Sequence, residues 1–246
     1  MLSDQEPSTF SEAVQLVGIG LSGLVKDGAR SLLVTSASAQ EGKTMLSVNL
    51  AHLLARQGQR VLLVDADLRK PNVAEALELP NDAGLATALA RGQNPMDLIK
   101  PVGKFWALTA GPPPVNPMEL LFSDAMTLFM RQAGQMYDVV LLDGPPILGY
   151  ADTRALAKNI SKAVLVVRSG ASSVDRIKLV QEELQTAGIV LAGTVLNFAS
   201  AAECSHLRHP GYPSTPEELQ GRGSQGRGWL GWIPKPQALW SRLLGQ

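Results

Sequence analysis

Short apolar runs alternate with longer amphipathic segments between residues 30 and 197. The runs are rich in β-branched residues and apolar throughout, a pattern typical of strands buried on both faces of a parallel sheet. They predict strands at 31–35, 60–64, 105–109, 138–142, 163–167 and 191–196. The segments between them predict helices at Thr44–Gln57, Gly84–Arg91, Pro117–Gln135, Asp152–Asn159 and Val174–Ala187. The alternation predicts an α/β fold with a mostly parallel central sheet and helices on both faces.

The same pattern divides the chain into three parts. We expect an N-terminal segment at 1–29, one α/β domain at 30–202 and a tail at 203–246. The tail is rich in Gly, Pro and polar residues and has no strand pattern, which predicts a loosely ordered appendix. In the N-terminal segment the most apolar stretch, Ala13–Val25, is broken by three glycines and is too short to cross a bilayer.

Composition narrows the class of protein. The formal net charge is zero, so no overall field attracts the chain to nucleic acid or acidic lipid. A single cysteine, Cys204, excludes an internal disulfide framework and fits a reducing compartment. The first residues lack the basic region of a secretory signal, so we expect a cytoplasmic protein.

A candidate phosphate-binding loop lies directly between the first predicted strand and the first predicted helix. It ends in Glu41-Gly42-Lys43-Thr44. Backbone N–H groups at such a turn and the start of the helix attract phosphate oxygens. Lys43 would reach the β and γ phosphates, and Thr44 would place a hydroxyl on Mg²⁺. Ala37 stands where the full motif has its first glycine, and an ordinary helix cap is the alternative interpretation.

Carboxylates follow two of the buried strands. Asp65 and Asp67 come at the end of one, and Asp143 ends another. Because ligands of open α/β sheets bind beyond the carboxyl ends of the strands, these acids predict a Mg²⁺ site beside the phosphates. The alternative is that they cap helices or pair with Arg69 and Lys70.

These motifs resemble a known family over residues 32–198. The family is the bacterial tyrosine kinases of capsule and exopolysaccharide synthesis, within the deviant-Walker P-loop ATPases that include MinD-like and ParA-like proteins. The segments that carry the resemblance are EGKTMLSVNLA, VLLVDADLRKP, GPPPVNPMELL, YDVVLLDGPPIL and GTVLN. The acidic pair followed by an arginine in the second segment is the most specific of them.

The resemblance implies a P-loop fold and ATP- and Mg²⁺-dependent phosphoryl transfer to tyrosine. It implies catalytic roles for Lys43, Asp65 and Asp67, with Asp65 favoured as acceptor of the tyrosine proton. It implies metal contacts from Thr44, Asp67 and Asp143. The implied nucleotide contacts are Gln40, Glu41, Gly42, Lys43, Thr44, Met45, Arg69 and Asn197, of which Asn197 would contact adenine.

The resemblance also implies partners. They are a separately encoded membrane protein that controls polysaccharide chain length, which would hold the kinase at the inner face of the membrane, and further copies of the chain itself. Three features depart from the family. Ala39 and Gln40 stand where the family's loop usually has Pro and Gly. The stretch Glu12–Gly18 lacks the arginines of the family's ring-forming helix, and Tyr212 stands where the family has a cluster of acceptor tyrosines. Tyr212 is therefore the candidate phosphoacceptor, with an unmodified bystander as the alternative.

Two other functions fit the same loop. One is a nucleotide-dependent switch that binds the membrane partner with little or no phosphoryl transfer, which the few tyrosines favour. The other is a positioning ATPase of the MinD or ParA type. Against it stand Asp67 and Arg69, the Pro-Asn-Pro segment, and Ser38 and Ala39 where those ATPases have a lysine.

Overall fold

The computed structural model describes residues 14, 15, 17, 18, 20, 31–199 and 229–234 of the chain. Within that part, eight segments are strands. They are β1 (Ser31–Ser36), β2 (Val61–Asp65), β3 (Lys100–Val102), β4 (Phe105–Leu108), β5 (Val139–Asp143), β6 (Lys162–Arg168), β7 (Val190–Ala199) and β8 (Trp229–Pro234). They form one sheet in the order β3-β4-β2-β5-β1-β6-β7-β8.

The six inner strands, from β4 to β7 in that order, run parallel. Only the two outermost strands, β3 and β8, are antiparallel to their neighbours. The register places Asp65 at the end of β2 directly opposite Asp143 at the end of β5. The two acidic strand ends predicted from the sequence are thus neighbours in the sheet.

Helices cover both faces of this sheet. They are α1 (Lys43–Arg56), α2 (Val73–Ala76), α3 (Leu85–Arg91), α4 (Pro117–Phe122), α5 (Asp124–Met136), α6 (Asp152–Leu156) and α7 (Val174–Thr186), with a 3₁₀ turn at Pro95–Leu98. Consecutive residues of a strand point to opposite faces. Leu32 and Val34 of β1 accordingly pack into the cluster that contains α1, whereas Leu33 packs into the cluster that contains Phe129 of α5. The predicted mostly parallel α/β architecture is confirmed.

Local signals explain where the elements differ from the sequence-based expectation. The predicted helix Pro117–Gln135 is broken at Ser123, whose backbone is extended and whose hydroxyl accepts a hydrogen bond from Met126 N (3.1 Å), so it starts a new helix. Strand β3 was not predicted because it is very short and contains Pro101, which is tolerated in an edge strand. The short helix α2 was also not predicted.

Both terminal segments contribute to the fold. Val14 and Val17 are helical and fully buried, in the same cluster as the apolar face of α1. The prediction that the tail has no strand was wrong for Trp229–Pro234, which pairs with β7. The segment contains Trp229, Trp232 and Ile233, which favour strands, but the Gly- and Pro-rich sequence around it obscured that signal. The division at residues 29 and 202 stays a prediction, and no helix among the described residues is long and apolar enough to cross a membrane.

Candidate nucleotide-binding and phosphoryl-transfer site

A cavity of about 690 Å³ lies at the carboxyl ends of the central strands. The start of α1 forms one wall, and the chain after β2 forms another. Its lining includes five of the residues expected to contact a nucleotide through the loop (Gln40, Gly42, Lys43, Thr44 and Met45) and the charged residues Asp67, Arg69, Lys70 and Glu75. A cavity of this size suits a nucleotide-sized ligand.

The loop before α1 is held in shape by its backbone turn and by hydrogen bonds on the side away from the cavity. Gln40 and Gly42 both have positive φ, 63° and 93°, so the chain turns sharply and directs the start of the helix at the cavity. The carboxylate of Glu41 is buried and points inward, where it accepts hydrogen bonds from Ser38 N (2.9 Å) and from the hydroxyl of Ser172. The side chain of Glu41, predicted as a nucleotide contact, therefore organises the loop and does not line the cavity.

Asn197 supports the same loop. Its side-chain N–H donates to the backbone carbonyl of Glu41 (2.9 Å), and its side-chain oxygen accepts from Phe198 N (2.9 Å). The residue is 1% exposed and does not line the cavity. The adenine contact implied for Asn197 is not visible in this geometry, because its polar atoms already bond to backbone. These contacts indicate that Asn197 positions the phosphate-binding loop.

We expect Gly42→Ala to destabilise the protein more than Gly58→Ala does. Both glycines have left-handed backbones (φ 93° and 88°), where a non-glycine residue costs roughly 1–2 kcal/mol. A Cβ at Gly42 would also lie 2.0 Å from the side-chain nitrogen of Asn197, whereas a Cβ at Gly58 meets nothing within 4 Å. Displacing that buried hydrogen bond adds about 1–3 kcal/mol.

Denaturant unfolding and nucleotide titration of both variants measure the difference. Gly42→Ala should lose more stability and bind nucleotide more weakly, while Gly58→Ala loses stability alone. Equal stability losses and equal affinities would show that the Asn197 contact does not shape the loop.

Asp143 lies behind the first turn of α1. The hydroxyl of Thr44 donates to one carboxylate oxygen (2.6 Å), and the hydroxyl of Ser47 donates to the other (3.0 Å). Because the Thr44 hydroxyl donates its hydrogen bond to Asp143, its lone pairs are free to face a cation. The sequence motifs did not indicate Ser47 as a site residue. Its position one helical turn after Thr44 places it on the same face of α1, and this spacing could have indicated its role.

The two aspartates after β2 have different surroundings. Asp65 is completely buried, and its two oxygens accept hydrogen bonds from Val73 N (2.9 Å) and Asp67 N (3.3 Å). Asp67 is 7% exposed and lines the cavity, where one of its oxygens accepts from Lys70 N (3.1 Å). Asp65 therefore shapes the turn, and Asp67 presents its carboxylate to a ligand.

Arg69 joins this turn to the loop after β5. Its guanidinium makes a two-pronged ion pair with Asp152 (Nε–Oδ2 2.6 Å, Nη2–Oδ1 3.1 Å) and stacks on the ring of Tyr150 at 4.8 Å. The side chain of Asp152 is 2% exposed. The sequence predicted Asp152 only as the start of a helix and did not indicate Tyr150, because only the folded chain brings the two residues to Arg69.

The site around Asp65, Asp67 and Asp143 contains too little positive charge to neutralise its carboxylates. Burial raises the pKa of Asp143 to about 6, and burial together with repulsion from Asp143 raises the pKa of Asp65 well above its ordinary value. Burial also raises the pKa of Asp67. No group of three or more His, Cys, Asp or Glu side chains in the described ranges could hold a metal unaided. A hydroxyl and one or two carboxylates fit Mg²⁺ if phosphate and water oxygens complete its shell.

We expect the stability of the nucleotide-free wild type, relative to Asp143→Asn, to fall as pH rises from about 4 to about 6. The pKa of Asp143 is higher in the folded protein than the ordinary 3.8, so folding favours the protonated form. That stabilisation is complete below pH 3.8 and is lost through pH 6. The shift of about two units corresponds to roughly 3 kcal/mol.

Chemical denaturation of the two proteins at steps between pH 4 and 7 measures this difference. Comparison with the variant cancels the contributions of titrating groups that do not interact with Asp143, and Asp65, whose pKa Asp143 raises, is the group that remains coupled to it. A difference that stays constant, or that grows with pH, would contradict the expectation.

Comparison with known proteins agrees with this geometry. Residues 32–212 match the CobQ/CobB/MinD/ParA nucleotide-binding domain. The tyrosine-protein kinase YwqD of Bacillus subtilis is 38% identical over 184 residues, which are 74% of this chain and 78% of that protein. The tyrosine-protein kinase etk of Escherichia coli is 34% identical over 168 residues, 68% of this chain but only 23% of etk.

The solved kinase domain of Escherichia coli ETK superposes with a TM-score of 0.72 at 28% identity, covering 80% of this chain and 83% of that domain. The likeness thus extends over most of the chain. The chain belongs to the CobQ/CobB/MinD/ParA nucleotide-binding family and, within it, to the bacterial tyrosine-protein kinases.

Proposed function

We propose that this protein transfers the γ-phosphoryl group of ATP to tyrosine, with Mg²⁺ as cofactor. The observation that carries the proposal is that Lys43, Thr44 and Asp67 line one cavity, with Asp143 hydrogen-bonded to Thr44 behind it. Phosphoryl transfer needs positioning and neutralisation of charge more than covalent help from the protein. One cation, one hydroxyl and carboxylates from two adjacent strands supply these functions.

Each residue has a distinct task in this proposal. Lys43 and the backbone amides at the start of α1 hold the phosphates. Thr44 offers its oxygen to Mg²⁺, which would neutralise charge on the phosphates, and Asp143 orients the Thr44 hydroxyl. Asp67 either contacts the metal or accepts the proton of the tyrosine hydroxyl.

The cavity lining supports Asp67 rather than Asp65 as the proton acceptor. Asp65 was favoured by the resemblance, but both its oxygens accept backbone N–H groups, and it does not line the cavity. We therefore assign Asp65 to holding the turn that carries Asp67. Arg69, fixed by Asp152, stands at the same cavity and suits recognition of a phosphate or of the acceptor.

Labelled γ-phosphate tests the proposal. The protein is incubated with ATP and Mg²⁺ in the presence of a glutamate–tyrosine copolymer as external acceptor. A kinase leaves label on tyrosine of the protein or of the copolymer. A nucleotide switch would release label only as free phosphate, an outcome that would overturn the proposal; the relatives, which are named tyrosine-protein kinases, do not favour it.

We also propose that the kinase regulates polymerisation or export of a capsule or exopolysaccharide while docked to a membrane chain-length protein. A similar protein of Klebsiella pneumoniae is named a putative tyrosine-protein kinase in the cps region. Affinity purification from membranes tests the docking: a chain-length protein should co-purify, and a set of purely soluble partners would count against it. The same preparation, sized by light scattering, tests for a homo-oligomer.

A further inference from the structure

One tyrosine stands at the cavity itself. The chain has three tyrosines. Tyr137 is 7% exposed and packs against Trp106, away from the cavity. Tyr212, the acceptor candidate from the sequence, lies outside the described residues. Tyr150 is 43% exposed and lines the cavity together with Lys43, Thr44 and Asp67.

The ring of Tyr150 is held in place by a cation that is itself fixed. The guanidinium of Arg69 lies 4.8 Å from the ring centre, and its two bonds to the buried Asp152 leave it little freedom. A cation at this distance from an aromatic face attracts it by roughly 0.5–2 kcal/mol. The contact with Arg69 thus favours a position of the Tyr150 ring at the ligand cavity.

The chain around Tyr150 belongs to the site. Its loop begins at Asp143 at the end of β5 and ends at α6, and Ile147 N donates to the carbonyl of Ser36 at the end of β1 (2.9 Å). Gly149, with φ of 99°, turns the chain immediately before the tyrosine. The loop that carries Tyr150 and the phosphate-binding loop therefore border one cavity in a single chain.

We propose that Tyr150 is a phosphoacceptor of its own chain, taking the γ-phosphoryl group from ATP bound in the same cavity. The inference rests on the proposed kinase function and names a site for it. The phenolic oxygen forms a bond to the γ-phosphorus while the bond from that phosphorus to the bridging oxygen of ADP breaks. The electron pair of the broken bond leaves with ADP, and the phenolic proton passes to the carboxylate of Asp67.

Two cations at the cavity can interact with phosphorylated Tyr150. A phosphotyrosine carries a charge of about −1.5 to −2 at neutral pH. Arg69 lies under the ring, and Lys70 lines the same cavity, so the new phosphate can make charge-assisted hydrogen bonds without moving far. The modified residue would then hold negative charge where the nucleotide's phosphates bind, which weakens ATP binding to the modified protein.

Transfer within one chain has a kinetic signature. The full chain is incubated with ATP and Mg²⁺ over a wide range of protein concentrations, with the glutamate–tyrosine copolymer present, and mass spectrometry maps the phosphate. We expect phosphate on Tyr150 at a first-order rate that does not change with protein concentration. Tyr150→Phe, which keeps the ring over Arg69, should lose most of this concentration-independent phosphate, and Tyr137→Phe should keep it.

The outcomes separate this inference from the function on which it rests. A labelled copolymer with unmodified Tyr150 overturns the inference and leaves the kinase. Phosphate on Tyr150 at a rate proportional to protein concentration also overturns it, and so does phosphate on Tyr150 of a Lys43→Met chain mixed with Tyr150→Phe chains, since transfer then occurs between chains. If neither the protein nor the copolymer is labelled, the proposed function fails together with the inference.

Discussion

Replacing Lys43 by Met lowers the rate of phosphoryl transfer by about 10²–10³-fold, the usual loss when one preorganised charge partner of the transition state is removed. Lys43 is nearly buried and lines the cavity beside Thr44. Methionine fills a similar volume along the apolar stem but has no charge. The loss should be mainly in kcat, because charge builds on the phosphate oxygens as transfer proceeds.

Lys43→Met also changes its acidic neighbours. The Lys43 cation partly offsets the burial that raises the pKa values of Asp67 and Asp143, so without it both carboxyls should titrate at higher pH. Lys104→Met, in an exposed turn away from the cavity, is the matched control and should behave as the wild type. Steady-state kinetics with the copolymer, together with circular dichroism, checks both variants. Retained activity in a folded Lys43→Met protein would refute the assigned role.

Replacing Asp67 by Asn should give a protein that is more stable and almost inactive. Burial raises the pKa of Asp67, so its charged form is unfavourable in the folded protein at neutral pH. A neutral amide removes the free-energy cost of burying that charge. The same change removes the carboxylate that faces the ligand. Loss of a general base or metal ligand costs about 10²–10⁴-fold in rate.

The variant Asp65→Asn distinguishes the role of Asp65 from that of Asp67. Its carboxylate accepts two backbone N–H groups, whereas an amide can accept them with one oxygen only, so the turn that carries Asp67 should loosen. We expect this variant to lose activity through poorer positioning, with a rise in KM as well as a fall in kcat. Thermal melts and copolymer kinetics of both variants test these assignments. An active Asp67→Asn protein would indicate that Asp65, and not Asp67, accepts the tyrosine proton.

Periodicity and motif spacing predicted the central sheet and the position of the site. Apolar runs ending in Asp65 and Asp143 required two buried strands, and parallel pairing then brings their carboxyl ends to one edge. The loop sequence predicted that α1 starts at Thr44, one residue from its observed start at Lys43. These features are local, or follow directly from the rules of parallel sheets.

The contacts that refine the site depend on the folded chain. Arg69 and Asp152 are 83 positions apart, and no pattern in either segment indicates the other. Glu41 carries the charge of a ligand-binding residue, yet its carboxylate is satisfied from within by Ser38 and Ser172. Strand β8 pairs with the edge of β7, a contact that the sequence of neither strand indicates.

The hydrogen bond from Asn197 to the Glu41 carbonyl joins residues 156 positions apart. Synthesis on the ribosome proceeds from the N-terminus, so the loop emerges long before the strand that braces it. A nascent chain arrested before Asn197 carries every residue of the phosphate loop but lacks this brace. We therefore expect such an arrested chain to hold nucleotide more weakly than the full chain does.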